Sequence, residues 1–173
     1  MTHNGLRIAY WLNILLYALV MGVFWGTWFS LSRSIASIKP EVFLDIGHTM
    51  IANLAGPMRL LLPASLISSV VLLVLLARHR RDAVFHLTVA SFVLMIVALV
   101  ITLTVNVPID NDIVHWTANT LPADWTTTRD RWEFFHGLRT IASVAALGCV
   151  VASALSWVTS SRVRTNASVR GHA

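Results

Sequence analysis

Four stretches of this 173-residue chain contain no aspartate, glutamate, lysine or arginine: 8–32, 60–77, 83–109 and 140–161. A helix needs about 20 predominantly apolar residues to cross the hydrocarbon core of a bilayer. The first, third and fourth stretches exceed that length, and the second reaches it if its helix begins near Met58. Backbone N–H and C=O groups find no water in lipid, so spanning segments must satisfy them internally, and uncharged runs of this length read as helices. Composition agrees. Hydrophobic residues make up 56% of the chain and charged residues 12%, about half the charged share of a soluble domain. The expected fold is therefore an all-α membrane protein: a four-transmembrane-helix bundle with short amphipathic helices in its two outer connections. It forms a single domain over 1–173 with a flexible cytoplasmic tail at 160–173.

Arg7 precedes the first apolar run, as in a secretory signal. The run is too long for one, and no small-x-small cleavage pattern closes it, so it reads as a retained helix. Orientation follows from the basic residues that flank the spans. Arg7, Arg78, Arg80, Arg81, Arg162, Arg164 and Arg170 fall on one side with a single acid, Asp82. The other side carries Arg33, Lys39, Arg59, Arg129, Arg131 and Arg139 against seven acids. This places both termini in the cytoplasm and the protein in the cell membrane, with lipid as its first partner. No basic–aromatic patch points to nucleic acid, and a homo-oligomer is compatible with the composition. Cys149 is the lone cysteine, which excludes an intramolecular disulfide; it reads as a small packing residue.

The two outer connections differ. In 33–57, Val42, Phe43, Ile46, Met50, Ile51 and Leu54 recur at helical spacing after Pro40, which predicts a short amphipathic helix. In 110–135, Trp116, Trp125 and Trp132 stand among acids and arginines, the composition of an aromatic belt. Between the third run and this belt lies "VNVPIDNDIVHW". Pro108 has no amide hydrogen and disfavours helix at Val107, so the third helix is expected to end near Asn106.

Polar chemistry concentrates in "RDRWEFFHGLRT", 129–140. On a helix advancing about 100° per residue, with Trp132 at zero, Arg129 lies near +60°, His136 near +40°, Arg139 near −20° and Ser143 near +20°. Arg139 and Ser143 fall inside the membrane boundary, where an ionisable group normally faces a partner or a wet cavity. Asn106, Asp110, Asn111 and Arg59 arrive at similar depth on neighbouring helices, and Arg139 with Asp110 is a natural pair. The plainer reading makes Arg139 a snorkelling residue, Trp132 a belt anchor and His136 incidental. Asn13, Trp25 and Trp28 suit interhelical packing or interface anchoring. His48, His115 and His136, with Asp110 or Asp112, match no metal-ligand spacing. No metal site or cofactor is predicted, and haem or metal stays open.

"NVPIDNDIVHW", followed by "WTTTRDRWEFFHGLRT", resembles the anthrone oxygenase family of small integral-membrane proteins, formerly catalogued as a domain of unknown function. "FLDIGHTMIANLAGPMRLLLP" is similar to its bacterial branch. By position, the motif residues are Asn106, Pro108, Asn111, Arg131, Trp132, His136 and Arg139; Asp110 stands where the family commonly has Asn, and Asp112 where a basic residue is common. The resemblance implies oxidation of a hydrophobic aromatic substrate by dioxygen in a pocket at the outer end of the bundle. His136 would be the base, Arg139 and Asn106 the oxyanion partners, and Trp132, Asn111, Asp110, Arg131 and Trp116 substrate contacts. Two other classes stay open: a non-catalytic partner subunit or lipid-binding protein, and a haem or metal redox subunit.

Overall fold

The computed structural model describes the backbone of residues 3–35, 37–80 and 82–170, and their side chains except those at 3, 32, 33, 79 and 161–170. Helix α1 (His3–Thr27) runs through a wide π turn (Trp28–Ser32) into the single turn α2 (Arg33–Ile35). Helix α3 (Pro40–Leu75) is followed by a short 3₁₀ turn, then α4 (Ala83–Ile101), a second π turn (Thr102–Asn106), α5 (Val107–His115) and α6 (Trp125–Arg170). Four helical stretches are long and apolar enough to cross a membrane: Asn4–Leu31, Pro40–Leu75, Ala83–His115 and Trp125–Ser160. The most extensive interface is between α4 and α6. Helix α1 packs against α3 and α6, and α3 against α4, which closes the bundle as a ring of four.

The expected architecture is present, with two differences of detail. The amphipathic segment after Pro40 is not a separate helix. It is the first part of the 36-residue α3, which carries Pro57 and Pro63 in its interior. The third helix, moreover, does not end near Asn106. Its ladder widens for one turn just before Pro108, with the Val107 amide bonding the carbonyl of Thr102 five residues back, and the backbone stays helical through Asn106 and Val107 into α5. The exit comes at Trp116, whose backbone is extended. The flexible tail expected from 160 on falls almost entirely outside the described side chains.

Outward faces are apolar: Trp11 is 74% exposed, Leu60 75% and Ile8 67%, as a lipid-facing surface requires. The interior is the more polar side. Asn13 on α1 donates to Ser68 and Ser69 of α3 at 2.7 and 2.8 Å, and Tyr17 bonds Ser69 at 2.8 Å. Tyr10, Ser153 and Thr88 link α1, α6 and α4 by contacts of 2.8 Å. Lipid tails are as apolar as leucine, so helices associate through small residues and interhelical hydrogen bonds, each contributing about 0.6 kcal/mol on average. Asn13 is thus the packing residue the sequence suggested. A separate apolar cluster of Ile35, Phe43, Leu44, Ile109 and Ile113 closes the end of the bundle where the two π turns lie.

Candidate active site

The stripe on α6 turns inward at that end. Residues four and seven positions after Trp132 return to the same helix face, and there His136 is 1% and Arg139 7% exposed, with Ser143 fully buried. Trp132, half-buried, stacks its ring on the imidazole of His136, with centroids 4.7 Å apart and planes 7° from parallel. Gly137 follows because the first π turn comes close: a Cβ there would lie 3.2 Å from Nε1 of Trp28.

The hydrogen bonds define the state of the imidazole. Its Nε2 lies 3.2 Å from the carbonyl oxygen of Phe24 on α1. A carbonyl only accepts, so Nε2 carries the proton. Nδ1 accepts from Arg139 Nε at 3.0 Å and from a terminal nitrogen of the same guanidinium at 2.7 Å. These partners assign the neutral, Nε2-protonated tautomer. The other terminal nitrogen of Arg139 donates to Thr102 Oγ1 at 3.2 Å. Thr102 gives its own proton to Ala98 at 2.8 Å, so toward Arg139 it acts only as an acceptor. The Phe24 ring covers the guanidinium, 4.5 Å from its central carbon, a cation–π contact that is strongest where water is excluded.

Asp110 and Asn106 complete the site from α5 and the second π turn. Asp110 accepts from the Trp132 indole at 2.8 Å. Its charge and that of Arg139 attract each other, but the expected direct pair does not form: Arg139 turns to His136 and Thr102 instead. Nor does Arg139 snorkel, since its guanidinium is enclosed by α1, α4 and α6. Asn106 is fully buried. Its amide nitrogen donates to the carbonyl of Trp132 at 3.2 Å, while its Oδ1 has no partner. The atom it offers is therefore an acceptor, opposite to what an oxyanion needs.

His136, Arg139, Asn106, Trp132 and Asp110 are thus brought together, and other predicted residues are not. Asn111 and Arg131 are exposed. Trp116 packs on the apolar cluster around Ile109 and Ile113. Arg129 leaves the stripe to pair with Asp130 at 2.7 Å and to cover the Trp125 ring. His48 bonds the carbonyl of Ile113, and His115 that of Asn111. Among the described residues no three His, Cys, Asp or Glu side chains gather closely enough to hold a metal ion. Thr102 and Phe24 were not foreseen. Thr102 could have been found, because it stands four residues before Asn106 and so on the same helix face.

No curated protein and no solved structure matches the chain. The family model for anthrone oxygenases matches residues 52–149, a segment from within α3 to the middle of α6 that contains every residue of the site except Phe24. That segment is more than half of the sequence, and the chain belongs to the anthrone oxygenase family.

Proposed function

We propose that this protein catalyses the oxidation of a hydrophobic aromatic ketone of the anthrone type by dioxygen, at the end of the bundle where Phe24, Asn106, Trp132, His136 and Arg139 meet. The arginine distribution supports an orientation with that end at the outer face of the cell membrane. The observation that carries the reading is Arg139: a guanidinium enclosed by apolar helices, with no carboxylate in contact and with N–H groups beyond the three it uses. A preorganised cation in a dry site favours negative charge that develops on a substrate oxygen.

Removing a proton from the methylene opposite an anthrone carbonyl gives an anion delocalised onto that oxygen. Dioxygen then accepts electrons from the ring carbon and bonds to it. Loss of the second methylene hydrogen, with cleavage of the O–O bond, leaves a new carbonyl and releases water, so one dioxygen balances one ketone formed and one water. Arg139 holds the oxyanion. His136 is the base: as the guanidinium moves from Nδ1 onto the substrate oxygen, the Nδ1 lone pair becomes free to take the proton. Trp132 and Phe24 supply apolar surface for the rings.

One observation favours a second reading. Apart from Asn106 Oδ1, the site is a closed hydrogen-bond circuit joining α1, α4 and α6, as in a purely structural clamp. Protein reconstituted in lipid and given anthrone under air separates the two. The oxygenase reading expects anthraquinone formation above the spontaneous rate, falling by about 10²-fold or more in His136→Phe and in Arg139→Leu. A clamp predicts no acceleration by the wild type, and variants that lose only thermal stability.

A further inference from the structure

The one buried side-chain polar atom left without a hydrogen-bond partner among the described residues is Asn106 Oδ1. The assignment of its amide is not arbitrary. Nδ2 faces the Trp132 carbonyl, and a flipped amide would set two acceptors against each other. An acceptor with no donor in a site this dry carries the full cost of its desolvation, so buried polar atoms of this kind are usually completed by a water or a ligand. Asn106 and Thr102 stand at the two ends of the same π turn, and Thr102 holds the guanidinium of Arg139. The Asn106 acceptor therefore stands one helical turn along from the threonine that holds the guanidinium, on the same helix face.

We infer that Asn106 is a specificity residue whose Oδ1 accepts a hydrogen bond from an un-ionised hydroxyl of the aromatic ligand whose ring oxygen Arg139 receives. This rests on the proposed oxygenase reading and sharpens its substrate class. The hydroxyl must be a free donor. One adjacent to the ring carbonyl already bonds that carbonyl within its own molecule, so a hydroxyl further around the ring is the better match. Ionisation to a phenolate removes the proton Oδ1 needs and sets negative charge against it, so recognition belongs to the neutral phenol.

Product-like probes test this without turnover. Binding of 2-hydroxyanthraquinone, 2-methoxyanthraquinone and anthraquinone is measured by quenching of tryptophan fluorescence in lipid nanodiscs, at a pH where the phenol is neutral. The wild type is expected to bind the hydroxy compound about tenfold more tightly than the methoxy one, and to lose that margin as pH rises through the phenol's ionisation while methoxy binding stays constant. Asn106→Leu should bring the two within about twofold, with its fold certified separately by circular dichroism and its thermal unfolding midpoint. Equal wild-type affinities for all three overturn the inference, place only a water at Oδ1 and leave the oxygenase reading standing. A margin that survives in Asn106→Leu overturns it too. If none of the three binds, the aromatic-ketone reading itself fails, and the inference with it. Should Asn106→Leu not fold, the wild-type comparison and its pH dependence decide alone.

Discussion

Arg139 directs two of its N–H groups at a single atom, Nδ1 of His136, at 3.0 and 2.7 Å. The imidazole is held from the other side by the Phe24 carbonyl on Nε2 and from above by the Trp132 ring. An aromatic base and a cation one turn apart on α6 are therefore one unit, and each depends on the other for its state.

The tautomer is the first consequence. Nitrogen NMR of ring-labelled protein in lipid should show His136 neutral at pH 7, with a protonated Nε2 and an unprotonated Nδ1 shifted by a donor. Arg139→Leu should move Nδ1 toward the position of a free imidazole nitrogen. A doubly protonated ring in the wild type would contradict the hydrogen-bond assignment.

Coupling energies follow from the same contacts. In a double-mutant cycle, Arg139→Leu and His136→Phe should be non-additive by about 0.5–3 kcal/mol, the range for residues in one hydrogen-bond network. The cycle of Arg139→Leu with Asp110→Asn should show less coupling, because Asp110 reaches Arg139 only through its field and an asparagine can still accept from the Trp132 indole. Thermal unfolding in detergent reads both cycles. Equal coupling in the two would put the arginine's true partner back at Asp110.

Helix contact at the site should show in its glycines. Gly137→Ala brings a Cβ to 3.2 Å from Trp28 Nε1, overpacking that costs about 1–3 kcal/mol if the indole cannot shift. Gly148→Ala, with nothing within 4 Å of the new methyl, should be neutral or stabilising by up to about 1 kcal/mol. Unfolding midpoints of the two variants in detergent measure the contrast.

Much of this arrangement is legible in the sequence, and the illegible part has a common cause. Uncharged runs announce the four spans because lipid leaves the backbone no alternative to helix. The 100° spacing puts Trp132, His136, Arg139 and Ser143 on one face, and burial places that face inside. What local periodicity does not carry is which helix lies opposite. Phe24 enters through a backbone carbonyl, which any residue type has, and Thr102 through a face it shares with Asn106. The choice of His136 over Asp110 as partner of Arg139 depends on the distance between α5 and α6. Pro108 misled because its cost is local: the π turn at Thr102–Asn106 rearranges the ladder just before it, so the helix continues where a propensity argument stops it. Asn111 and Arg131 belong to the family motif by position yet lie exposed, since a motif records order along the chain and not direction.

Topology is testable independently of chemistry. With seven basic residues to one acid around the 78–82 connection and the termini, against six to seven on the other side, that connection should be cytoplasmic. In a Cys149→Ser background, cysteine at Arg80 should resist a membrane-impermeant thiol reagent in intact cells, while cysteine at Thr127 should react. The reverse pattern would place the Arg139 site on the inner face.

The oxygenase proposal is tested most directly by stoichiometry. Purified protein in lipid, supplied with anthrone and ¹⁸O-labelled dioxygen in unlabelled water, should consume one dioxygen per anthraquinone and leave one labelled oxygen in the new carbonyl, at a rate that Arg139→Leu returns to the spontaneous background. Anthraquinone formation no faster with the wild type than without it, or equally fast with Arg139→Leu, would contradict the account.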